Sequence, residues 1–137
     1  MRVFLDTNVF LLAVGKDSPQ RRACLDVLDA ASRGDLEAVT SSEVLQEILH
    51  VRARRGNLDE ALQLAREASE VVVETLPVTG QDVLSACTTL AKHGKIDVRD
   101  AIHVAVMKAA SIHTIISTDT DFDAIREIRR IDPKDAV

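Results

Sequence analysis

A chain of 137 residues amounts to one domain at roughly 100–200 residues per domain, and that is enough to bury a real core without disulfide or metal staples. An apolar content of 46% with 28% charged residues excludes disordered, collagen-like and disulfide-scaffold classes. Acidic side chains outnumber basic ones by 22 to 17, and the aromatics are three Phe with no Trp or Tyr. A broad basic nucleic-acid footprint and an aromatic stacking platform are therefore both excluded, and any phosphate contact has to be local.

No apolar run approaches the ~20 residues that span a bilayer. The stretch Met1 to Asn8 is broken by Asp6 and does not read as a secretory signal. Cys24 and Cys87 fall inside helical patterns and read as buried thiols, as expected in a reducing cytoplasm.

The chain alternates short β-branched runs with longer helical periods, which argues for βα units around a parallel sheet. Val3-Phe4-Leu5 is the first strand, followed by a short helix from about Asn8 to Val14. Ser18-Pro19 supplies a cap and a first-turn proline for a helix that stops at Gly34. A short strand covers Glu37 to Thr40. Thr40-Ser41-Ser42-Glu43 then matches a capping box for a helix ending at Gly56, and Asn57 to Glu60 matches another for a helix to about Glu70. Val71 to Leu76 reads as a strand closed by Pro77, followed by helices from about Gly80 to His93 and from Asp97 to Ser111. Thr114 to Thr118 is a buried-type strand. A short helix near Phe122 to Arg126 and a weak strand near Arg129 to Asp132 finish the chain.

In open parallel sheets, ligands bind beyond the carboxyl ends of the strands, and several acids fall at that edge. Asp6 follows the first strand and Asp119 follows Thr114–Thr118. Asp100 sits in the first turn of a helix already capped by Asp97, and it leads into the largely apolar Ala101-Ile102-His103-Val104-Ala105-Val106. Glu47 lies about 40° from Val51 on a helical wheel, on the flank of the Val44/Ile48/Val51 stripe, where it reaches over the sheet edge. Glu43, by contrast, is explained as the last member of its capping box.

Each acid alone has an ordinary reading as a cap or turn residue. Together they pose an electrostatic problem, because two carboxylates 4 Å apart repel by about 4 kcal/mol at an effective dielectric near 20. A divalent cation reverses that sign, and Mg²⁺ and Mn²⁺ favour oxygen ligands. His50, His93, His103 and His113 are dispersed, with no zinc spacing. His103 lies within reach of Asp100 but reads first as a satisfied helix histidine. A hard-metal carboxylate site suits phosphodiester hydrolysis, in which the metal acidifies water and stabilises developing charge.

Asp6-Thr7-Asn8, Thr40-Ser41-Ser42…Glu47, Asp100-Ala101-Ile102-His103-Val104-Ala105 and Ser117-Thr118-Asp119-Thr120-Asp121-Phe122 occur in that order. The ordered set resembles the PIN-domain nucleases, most closely the VapC-type ribonuclease toxins of toxin–antitoxin pairs, over essentially residues 1–137. The resemblance implies a three-layer α/β/α fold with a central parallel sheet of four to five strands. It also implies a Mg²⁺- or Mn²⁺-dependent endoribonuclease whose metal-binding and catalytic acids are Asp6, Glu47, Asp100 and Asp119. Asp121 is a second candidate for the fourth acid. Thr7, Asn8 and Thr118 match positions that orient carboxylates or water. The implied partners are an RNA substrate, a cognate antitoxin and a second copy of the chain in a homodimer.

Asp6 and Asp100 are expected as the principal ligands, with Glu47 orienting or deprotonating the attacking water. Local basic groups have to position the RNA: Arg52, Arg54 and Arg55, and Lys92, Lys95 and Arg99. Competing readings are a non-catalytic PIN-like scaffold and an RNA-processing nuclease without an antitoxin. A receiver-like signalling domain fits poorly, since Pro77 and not an aspartate follows Leu76 and no Lys follows Thr118.

Overall fold

The computed structural model describes residues 1–137. Five strands form one sheet: β1 (Val3–Leu5), β2 (Ala38–Ser41), β3 (Glu74–Leu76), β4 (Thr114–Ile116) and β5 (Arg129–Ile131). Their order is β3-β2-β1-β4-β5, and every pairing is parallel. Seven helices connect and flank them: α1 (Thr7–Ala13), α2 (Pro19–Arg33), α3 (Ser42–Arg54), α4 (Leu58–Val71), α5 (Gly80–Lys92), α6 (Val98–Ala109) and α7 (Pro133–Ala136).

Successive strand residues point to opposite faces of a sheet. Every residue of β1, β2 and β4 is buried, so both faces of the central strands are covered. This is the three-layer α/β/α arrangement expected, with five strands. The edge strands β3 and β5 are partly exposed and carry Glu74, Arg129 and Arg130, charges that discourage pairing with another chain. The core joins Phe4, Leu5, Val9 and Phe10 to Val39, Ile48, Met107, Ile115, Ile116 and Phe122.

Local signals set several boundaries. Ser18 accepts from the Arg21 N–H at 3.0 Å and Pro19 opens α2. Gly34 ends that helix at φ 81°, a left-handed conformation that favours glycine. Elsewhere tertiary contacts move the boundaries. Ser41 remains paired with Leu76 of β3, so β2 runs one residue further than expected and Ser41, not Thr40, caps α3. The cap bond comes from Val44 N–H, so Glu43 is not part of a capping box. The reciprocal box lies instead at Thr79 and Asp82, opening α5.

The Val71 to Leu76 strand shortens to Glu74–Leu76 because α4 runs on to Val71. Leu64, Ala68 and Val72 continue a buried stripe at a spacing of four residues, and this helical period overrides the β preference of the valines. Thr120–Ala124 is a 3₁₀ turn that starts two residues earlier than expected, because Asp119 accepts from the Asp121 N–H. The last helix, α7, was not anticipated; Asp132 caps it and Pro133 opens it. Cys24 is buried, but Cys87 is exposed. The buried positions of α5 are Asp82, Ala86 and Thr89, and Cys87 lies about 100° round from Ala86 on the helix.

Candidate active site

The sheet order places the carboxyl ends of β1 and β4 side by side where the chain's connections diverge, the usual position of a ligand crevice in such sheets. Leu5 is in register with Ile116, so the next residues, Asp6 and Ser117, meet just beyond the strand ends. Asp6 is 4% exposed. Its carboxylate accepts from Ser117 Oγ at 2.5 Å, from Thr7 N–H at 2.8 Å and from Asn8 Nδ2 at 3.1 Å. Asp6 thus caps α1 and faces the site at the same time. Burial pushes its carboxyl above the usual range, opposed by His103 and by the bonds from Ser117 and Thr7.

Glu47 comes from the second turn of α3. Its Oε1 accepts from Thr7 Oγ1 at 2.6 Å, and its Oε2 lies 3.3 Å from Arg99 Nη1. Burial alone pushes this carboxyl up, but His103, Thr7 and Arg99 outweigh it and hold the group below its ordinary range. Glu43, one turn earlier, approaches the same guanidinium at 4.0 Å.

Asp100 is the third residue of α6, with its N–H bonded to Asp97 Oδ1 at 2.8 Å. Burial first, then the charges of Asp6 and Asp97 and contact with Asp119, push its carboxyl up to about 9. Asp119 is held by its own N–H donating to Ser117 Oγ at 3.0 Å.

Asp6, Glu47, Asp100 and Asp119 all line one cavity of about 140 Å³, together with Thr7, Asn8, Leu11 and Asp97. Asp121 is exposed and is not part of its wall. Thr118 was expected to orient the acids. Its backbone N–H does hold Asn8 Oδ1 at 3.4 Å, but the residue lines a separate cavity with Pro19 and Pro133 and not the acid one. Ser117, opposite Asp6 in the register, supplies the orienting hydroxyl.

His103 is not the satisfied core histidine expected. It is fully buried against Phe4, with ring centroids 5.5 Å apart, and neither ring nitrogen has a hydrogen-bond partner. Its Nε2 stands 3.6 Å from Asp6 Oδ1 and 3.8 Å from Glu47 Oε1. The i,i+3 spacing from Asp100 was the sequence signal for this placement. Asp97, whose sequence position shows only a cap, both caps α6 and lines the acid cavity.

Of the basic residues singled out, Arg52 is tied to Glu60 at 2.6 Å, and Lys92 and Lys95 are exposed and outside the acid cavity. Only Arg99 touches a site carboxylate.

Comparison with known proteins decides the family. The PIN domain profile matches residues 3–128. Ribonuclease VapC13 of Mycobacterium tuberculosis is 36% identical over 132 residues, covering 94% of this chain and 98% of VapC13. The chain belongs to the PIN-domain family, among the VapC ribonucleases. The fold agrees with that of the sarcin-ricin loop cleaving toxin VapC20 from M. tuberculosis, with a TM-score of 0.76 at 23% identity, covering 93% of this chain and 98% of that one. It also agrees with a chain of VapBC2 from Rickettsia felis bound to a promoter DNA fragment, with a TM-score of 0.75 at 16% identity, covering 96% and 98%.

In this PIN domain the donor set fits a hard divalent cation. Ligand atoms of Asp6, Asp100 and His103 all lie within 4.8 Å of one another. Carboxylates dominate the cavity wall, and no thiol approaches it. Burial first, and for Asp100 the charges of Asp6, Asp97 and Asp119 as well, raises both carboxyls, and a bound cation would favour their charged forms.

Proposed function

We propose that this PIN domain is a Mg²⁺- or Mn²⁺-dependent endoribonuclease, the toxin of a VapBC-type pair, acting in the cytoplasm with Asp6, Glu47, Asp100 and Asp119 as its working acids. The observation that carries the reading is the convergence of those acids, from positions remote in the chain, on one small cavity. Asp6 and Asp100 are the principal metal-holding groups, and Asp119 completes the set. A bound divalent ion supplies positive charge for the phosphodiester and acidifies water.

The remaining work falls to the protein. Ser117, Asn8 and the Thr7 N–H fix the Asp6 carboxylate, so that it does not reorganise during reaction. Thr7 and Arg99 aim Glu47, which orients the attacking water and accepts its proton as the water oxygen bonds to phosphorus and the P–O bond to the leaving nucleotide breaks. The leaving oxygen takes a proton from solvent. With no aromatic platform among its lining residues, the site is expected to take RNA through its backbone and shape rather than by reading bases.

The decisive experiment incubates purified protein with RNA in Mg²⁺ or Mn²⁺ and in excess chelator, for the natural chain and for Asp6→Asn. Cleavage is expected only with metal, and the variant should lose about 100-fold or more while keeping its fold by circular dichroism. Full activity of Asp6→Asn rejects the assignment, and inactivity of the natural chain with every divalent ion favours the scaffold reading. A small partner encoded next to the chain that copurifies with it and suppresses cleavage separates a toxin from an RNA-processing nuclease.

A further inference from the structure

A second cavity, of about 270 Å³, opens beside the acids and is lined by His50, Val51, Arg54, Arg55 and Arg99. Three guanidiniums and an imidazole meet there with no acid among the lining residues, in a chain of net charge −5. The helix dipole accounts for Arg54 and Arg55, which sit at the carboxyl end of α3 where cations are stabilised. It does not account for Arg99, the second residue of α6, which lies at the positive end of its helix. Arg54 and Arg55 enter no ion pair, whereas their neighbour Arg52 is held by Glu60.

Arg99 links the two cavities: it lines the basic one, and its Nη1 lies 3.3 Å from Glu47, which lines the acid one. Glu47 and Arg54 are two turns apart on one helix, about 11 Å along its axis. A polyanion with its reacting phosphate among the acids therefore runs on to the guanidiniums within one or two nucleotides.

We propose that this basic groove is a phosphate subsite that holds the RNA backbone next to the bond being cut. Arg54 and Arg55 bind a flanking phosphate. Arg99, with five donors in a planar fork, keeps Glu47 on one edge and presents its remaining N–H groups to the strand. Contacts of this kind set register without reading sequence. The inference rests on the ribonuclease reading above and names where that substrate lies.

The test measures fluorescence anisotropy of a short labelled single-stranded RNA on full-length Asp6→Asn protein across a salt series. Adding Arg54→Ala and Arg55→Ala together should weaken binding about tenfold and reduce the steepness of log K against log salt by about 0.7, the value for one single-strand phosphate. Arg22→Ala, which removes an exposed arginine from α2, should change neither. In the active background the double variant should raise KM with kcat retained. Unchanged affinity and salt slope in the double variant overturn the proposal. It is also overturned if a glutamate-rich peptide binds more tightly than RNA and loses that binding in the double variant, which assigns the groove to an acidic protein segment. Failure of the natural chain to cut RNA with Mg²⁺ or Mn²⁺ sinks the catalytic reading, while the anisotropy series still decides the groove.

Discussion

Asp100 shows how a side chain that hinders folding can serve a site. Its carboxyl titrates near 9 in the folded chain against 3.8 for the free group. Between those values the folded state keeps a proton that the unfolded state has released, so stability falls as pH rises across that window. Metal-free protein is therefore expected to lose melting temperature steadily from pH 5 to pH 8. Asp100→Asn should flatten that slope and raise the melting temperature at pH 8 while abolishing metal-dependent cleavage. Calorimetry over pH checks this, and a slope unchanged by the substitution would reject it. The two cysteines differ just as sharply. Burial, with Asp132 adding to it, pushes the Cys24 thiol up to about 11, whereas Cys87 is exposed. Iodoacetamide on folded protein should label Cys87 and spare Cys24, as read by peptide mass mapping.

Helix ends were decided partly by local chemistry and partly by the sheet. Ser18 caps α2 as its sequence position implies, and Ser18→Ala should lower stability by about 1 kcal/mol in chemical denaturation with little effect on RNA cleavage. The start of α3 lies one residue later than its four-residue signature implies, because the pairing of Ser41 with Leu76 is invisible to that signature. That shift has a functional consequence. Freed from a capping box, Glu43 turns to Arg99 and joins Glu47 in holding that guanidinium between the two cavities. The end of α4 shows the same competition, since a buried stripe through Ala68 and Val72 carries the helix into a run of valines that alone reads as strand.

For the whole molecule, α5 and α6 pack together and leave Val83, Leu84 and Val98 exposed. The family resemblance implies a homodimer, and a pair that buries these side chains predicts that Leu84→Glu shifts the mass measured by light scattering from dimer to monomer. A bound divalent ion should raise the melting temperature, most strongly at high pH where the cavity acids carry most charge. No helix is long and apolar enough to cross a membrane. The βα alternation, the parallel sheet and the convergence of Asp6, Glu47, Asp100 and Asp119 at the strand ends were all readable in the chain, because strand ends and helix starts are local signals and ligand crevices follow from them. Contacts across the sheet were not. Ser117 became the partner of Asp6 through strand register, His103 of α6 came to lie against Phe4 of β1 with neither ring nitrogen bonded, and Arg99 and Arg54, from separate helices, came to line one groove. Spacing along a sequence reports what lies one or two turns away, while pairing between distant segments is set by which buried faces fit, and only the folded chain decides that.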